Sequence, residues 1–84
     1  MFHFTYVLEN EKDGRLYIGT TTNLKKRLGL HKQGNVKSTK NRRPLKLVYF
    51  EACLDKKKAQ RRERYFKTGF GREFLKQRVV SSVG

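Results

Sequence analysis

Cysteine is nearly missing from the sequence, and acidic charge is scarce. The single Cys53 excludes an intramolecular disulfide and any cysteine-based zinc site, which fits a reducing compartment and not a small secreted scaffold held by disulfides. Cys53 itself reads as a small core hydrophobe late in a strand. No apolar run is long enough to span a membrane, and no basic stretch before a hydrophobic core marks a signal peptide, so a cytoplasmic protein with no membrane partner is expected. Repeats and low-complexity segments are absent too. Asp and Glu number 7 against 21 Lys and Arg, a net charge of +14.

That excess is spread from Lys12 to Arg78. The whole surface is therefore basic, and such a field attracts polyanions, because each phosphate neutralised releases condensed counterions. Nucleic acid is the commonest polyanion it meets. A membrane-surface role needs an amphipathic apolar face beside the lysines, and no long exposed stripe of that kind is visible. With 84 residues the chain is expected to form one domain, 1–84, whose single core supplies stability on the order of 3 to 5 kcal/mol.

Phe2 to Glu9 alternates, with Phe2, Phe4, Tyr6 and Leu8 on one side, and predicts a strand. Asp13-Gly14 is a turn dipeptide, and the run Arg15 to Gly19 completes a hairpin. Thr20 to Thr22 then offer oxygens for a helix start, with Thr22 or Asn23 as N-cap. In that helix Leu24 and Leu28 share a stripe, and Arg27 and His31, roughly 40° apart, flank it at the edge of the buried face. Lys25, Lys26 and Lys32 point elsewhere and read as solvated. Gly34 and Asn35 stop the helix.

Gln33 to Pro44 is a basic connector carrying Lys37, Lys40, Arg42 and Arg43, readable as a phosphate-contacting loop or a plain solvated one. Leu45 to Cys53 is the most apolar run and reads as a strand covered on both faces. Asp55 suits an N-cap for a helix Lys56 to Lys67 ended by Gly69. A last helix, about Gly71 to Val79, is expected to bury Phe70, Phe74 and Leu75, and 80–84 reads as a frayed end. The order β-β-α-β-α-α predicts an α+β fold, a three-stranded antiparallel sheet flanked by helices.

Four residue types stand out as chemistry. Glu63 lies among Arg61, Arg62, Arg64 and Lys67, yet shares a helix face with Ala59 and Phe66. It reads either as one half of a surface ion pair or as a carboxylate that holds a cation, such as magnesium completed by waters and a phosphate. Tyr6, Tyr17, Tyr49 and Tyr65 suit core or sheet positions. A tyrosine ionises near pH ~10, so it acts as a base only where cationic neighbours favour the phenolate. His31 reads as a structural histidine or a proton shuttle, and Arg27 as a surface residue packing its stem or as a charge clamp. The acids Glu9, Glu11 and Asp13 read as turn solvation.

Together Tyr17, Arg27, His31 and Glu63 resemble the parts of phosphodiester hydrolysis: a base, a charge clamp, a proton shuttle and a metal ligand. In this arrangement the sequence resembles the GIY-YIG nuclease family. Tyr17-Ile18-Gly19 matches the second motif, and Thr5-Tyr6-Val7 stands at the first, keeping its tyrosine. Arg27, His31, the segment Arg43 to Tyr49, and Ala59 to Lys67 are also similar to the small single-domain bacterial members. The likeness covers about residues 4–75.

The resemblance implies a metal-dependent DNA endonuclease using Mg2+ or Mn2+. In it Tyr17 is the general base or water activator, Tyr6 supports nucleophile or phosphate, Arg27 stabilises the phosphorane charge, His31 assists proton transfer, and Glu63 is the sole protein metal ligand. Lys37, Lys40, Arg42, Arg43 and Lys67 are the implied DNA contacts. Larger relatives take targeting from additional domains, so low sequence specificity, selectivity for branched or damaged DNA in repair or recombination, or a protein partner that supplies targeting is implied. The alternative is a nucleic-acid-binding module of the same fold without catalysis.

Overall fold

The computed structural model describes residues 1–79. The expected frayed end falls at 80–84, outside the described residues. The chain runs β1 (His3–Asn10), β2 (Leu16–Thr21), α1 (Leu24–Gln33), a 3-10 turn (Lys40–Arg42), β3 (Leu45–Cys53), α2 (Lys56–Phe66) and α3 (Gly69–Arg78). The sheet is antiparallel in the order β2-β1-β3. This is the expected α+β order, and among the described residues no helix is long and apolar enough to cross a membrane.

One expectation about the sheet is overturned. The apolar run of β3 lies at an edge, with Leu47 and Phe50 exposed, while β1 is the central strand and is buried throughout Thr5–Asn10. Polar residues hide this because each finds a partner inside. Thr5 donates its hydroxyl to Ala59 O at 3.0 Å, Glu9 pairs with Lys46 at 3.5 Å, and Asn10 donates to Arg42 O at 2.5 Å. A buried polar group so satisfied carries little of its desolvation cost.

β1 and β2 are joined across a turn in which Gly14 takes φ 74°, a conformation that a Cβ disfavours. β2 does not stop at Gly19 but continues to Thr21, so the motif glycine lies inside the strand. Asn23 is the α1 cap, its side chain accepting from Lys26 N at 3.1 Å, and Gly34 at φ 79° closes the helix onto His31 O and Leu30 O. Asp55 caps α2 by accepting from Lys58 N at 3.1 Å.

The α2–α3 boundary also differs from expectation. Gly69 opens α3 and does not end α2, because the Thr68 hydroxyl accepts from Gly71 N at 3.2 Å and starts a new helix. Phe70 consequently points outward, 85% exposed, whereas Leu75 is fully buried. Val7, Ile18, Phe66 and Leu75 form the core on this face, with Tyr49 edge-on to Phe66 and Phe74. The Arg62 guanidinium lies 4.6 Å from the Phe66 ring centre and forks onto Glu51. Cys53 ends β3 half-buried.

Candidate active site

Strand alternation separates two sets of side chains. Val7 and Ile18 face α2 and α3, while Tyr6, Leu8 and Tyr17 face α1. Opposite Tyr6 in the register stands Gly19. A Cβ on Gly19 would come 2.5 Å from the Tyr6 phenol oxygen and 2.7 Å from its Cζ, so the glycine is the space the phenol occupies. Tyr6 is fully buried and has nowhere to retreat. Gly19→Ala is therefore expected to cost about 1–3 kcal/mol by overpacking and to push the phenol off its partners. Urea melts give the stability loss, and a melt equal to that of wild type would refute this account of the motif glycine.

Those partners are close. Tyr6 Oη is 2.8 Å from His31 Nε2 and 3.4 Å from Arg27 Nε, and His31 Nδ1 is 2.7 Å from Thr39 Oγ1. The protons can be placed by counting donors. Arg27 can only donate, so Tyr6 oxygen accepts from it. The phenol proton then needs an acceptor, and among the described residues His31 Nε2 is the one in reach. His31 therefore carries its proton on Nδ1 and gives it to Thr39, whose own hydroxyl turns to Val36 O at 3.5 Å. The reverse tautomer leaves a buried phenol proton without a partner.

Burial, then the Arg27 charge, lowers the His31 pKa, and burial raises that of Tyr6 against the opposing hydrogen bond from Arg27. The unfolded chain takes up a proton on this histidine near pH ~6.5 while the folded chain resists it. The stability His31 contributes is thus complete above that pH and is lost as pH falls through the lowered folded value. Thr39→Val leaves the Nδ1 proton without an acceptor and is expected to cost about 1–3 kcal/mol, with Thr39→Ser close to wild type. Long-range proton–nitrogen correlation of the imidazole reads the tautomer directly; protonated Nε2 in wild type would contradict the assignment.

Tyr17 lies half-buried on the same face, its ring 5.2 Å from His31 and 6.4 Å from Tyr6 between centres, and its phenol accepts from Ser38 at 3.2 Å. Hydrogen bonding to Tyr6 first, and the nearby Tyr17, raise the Arg27 pKa and keep it charged. From Tyr17 a cleft of roughly 830 Å³ wraps around the outer edge of β2 to Glu63 and Lys67 on the opposite face. α2 reaches this edge because Ala59, one turn before Glu63, is tied to β1 by Thr5. Glu63 is half-buried and accepts from Lys67 at 2.8 Å. Among the described residues it is the one carboxylate lining the cleft, and no group of three or more His, Cys, Asp or Glu lies together.

The implied DNA contacts divide between places. Arg42 and Lys67 line the cleft. Lys40 and Arg43 lie beside a different groove, next to His31, and Arg43 donates to Lys32 O and Lys40 O at 3.3 Å, closing the end of α1. Lys37 is exposed on the connector. Sequence reasoning missed Thr39 and Ser38, and also the cleft cations Arg15, Arg72 and Lys76. The four-residue spacing of Arg72 and Lys76 on one helix face was the available signal.

A family model described as the GIY-YIG catalytic domain matches residues 2–77. The chain belongs to the GIY-YIG family. This places it with nuclease-type hydrolase domains, whose nucleases act on DNA. A UPF0213 protein of Clostridium perfringens is 47% identical over 66 residues, 77% of this chain and 70% of its own length. One of Staphylococcus haemolyticus is 43% identical over 75 residues, 88% of this chain and 90% of its own. The solution structure of a UPF0213 protein from Bacillus halodurans is 36% identical and superposes with a TM-score of 0.57, covering 92% of this chain and 84% of that one. In this GIY-YIG chain the first motif keeps its tyrosine as Tyr6, whose hydroxyl occupies the space left by the glycine of the second motif.

Proposed function

We propose that the chain is a metal-dependent DNA endonuclease of low sequence specificity or selective for branched or damaged DNA, with a role in repair or recombination. The observation that carries this reading is the convergence of Tyr17 and Glu63, 46 positions apart in the sequence, on one basic cleft. A phosphodiester drawn in by Arg15, Arg42, Lys67, Arg72 and Lys76 would lie between the phenol and the carboxylate.

The donor set fits a hard divalent cation. Glu63 offers one carboxylate in an open cleft, and Mg2+ or Mn2+ suits a site of one protein carboxylate, waters and a substrate phosphate. When bound, such an ion would polarise the phosphate and stabilise its developing charge. A single carboxylate speaks for one ion and not a pair. Tyr17 would orient and deprotonate the attacking water. In that role it reacts as the phenolate and takes the water's proton as the new P–O bond forms, while the opposite P–O bond breaks and the departing oxygen draws a proton from solvent. Arg27 holds positive charge beside both phenols. His31, with both nitrogens engaged, acts through Tyr6 by holding it in place. The chain's own cations would give affinity without reading bases, and any targeting would come from DNA shape or a protein partner.

A second reading, a binding module without catalysis, is favoured by the Glu63–Lys67 pair, which satisfies the carboxylate without an ion. Incubating the protein with plasmid and branched DNA, with magnesium and with chelator, separates the two. Magnesium-dependent cleavage is expected; retained binding with no cleavage of any DNA would establish the module instead.

A further inference from the structure

The α1 face of the sheet is only partly covered. Phe4, Tyr6 and Leu8 of β1 point toward it, and the register sets Phe50 beside Tyr6 and Leu47 beside Leu8. α1 encloses Tyr6 and Leu8, yet Phe50 remains 50% exposed and Phe2 52%. Phe2, Phe4 and Phe50 form a row of tilted rings, with centres 6.4 and 6.2 Å apart. Leu47 carries this strip into a groove of roughly 760 Å³, floored by Leu8, Leu28 and Leu45 and edged by Lys32 and Lys40. Glu11 is the one carboxylate on that groove among the described residues.

A strip of exposed aromatic rings marks an interaction surface. Charge decides what covers it. A second copy brings another +14 against the lysines of the groove, and a duplex keeps the faces of its bases inside its own stack. An unpaired strand offers both things the surface accepts: flat bases for the rings and phosphates for the lysines.

We propose that the Phe2–Phe4–Phe50 strip and the groove beside it bind an unpaired nucleic-acid strand, with bases against the rings and phosphates near Lys32 and Lys40. This surface lies across α1 from Tyr17 and plays no part in the hydrolytic chemistry. It deepens the nuclease reading, and rests on it, in one respect: the bound strand is the unpaired arm of a branched substrate whose paired part enters the cleft.

The chain has no tryptophan, so Phe50→Trp places a single fluorophore in the strip. Oligothymidylate added in chelator is expected to quench it, with affinity close to that of wild type. Phe50→Ala is expected to weaken oligothymidylate binding by about five-fold or more, the loss of one base stack, without altering blunt-duplex affinity or the salt dependence of binding. Phe50 is half exposed, so the variants should melt with wild type; if Phe50→Ala fails to fold, the quenching titration decides alone. An unquenched tryptophan at saturation, or oligothymidylate binding unchanged in Phe50→Ala, overturns the proposal. So does a dimer that Phe50→Ala disperses, which would assign the strip to a second copy. Oligouridylate in parallel tells RNA from DNA, and preference for it would remove the branched-DNA role. Because binding is read without metal, this inference can fail while cleavage persists, and can hold where cleavage is never seen.

Discussion

Glu63→Gln is expected to reduce magnesium-dependent cleavage by more than about a hundred-fold while leaving DNA binding equal or tighter. The substitution keeps the shape of the side chain and removes its charge. Because Glu63 lines the cleft as its one carboxylate among the described residues, nothing nearby can take over as an anionic ligand. Binding moves the other way: Lys67, now held by the carboxylate at 2.8 Å, is released to face phosphate, and one repulsive charge is gone. Stability should hardly change, since the ion pair is partly exposed and such pairs contribute roughly 0–1 kcal/mol. Cleavage time courses beside filter binding check both arms. Cleavage at the wild-type rate by Glu63→Gln would remove Glu63 from the mechanism.

Tyr17→Phe should lower the cleavage rate by about 10² to 10⁴ with binding and fold intact. The ring contacts with His31 and Tyr6 survive the change, and the Ser38 hydroxyl that loses its acceptor is exposed to water. What disappears is the one phenol that opens onto the cleft. Cleavage by Tyr17→Phe at the wild-type rate would transfer the base role to another group. Tyr6 is a poor substitute, since it is buried and its proton is committed to His31.

Local signals in the sequence were enough to find the elements, and tertiary ones were needed to arrange them. Asp55 and Gly34 mark helix ends because capping is chemistry between near neighbours in the chain. Thr68 was missed as a cap because Gly69 beside it looks like a stop; the winning signal was the hydroxyl, not the glycine. Reading β3 as covered on both faces followed from its apolar run, but it lies at an edge, and the central, buried strand is the one whose polar Thr5, Glu9 and Asn10 find distant partners. The tyrosines, Arg27, His31 and Glu63 were readable as a set of residue types. Their wiring was not: Thr39 is eight residues beyond His31 and enters the site only because the connector folds back onto α1.

The cleft holding Tyr17 and Glu63 lies along β2, and β2 is an outer strand of the sheet. An outer strand presents unpaired backbone groups to which a strand of another molecule could add. Arg15, Arg42 and Lys67 stand around that rim, and between two copies they repel. The cations around the cleft therefore also oppose polymerisation of the chain along the same edge. A polyanion that covered them would remove this repulsion and leave the edge open to strand addition.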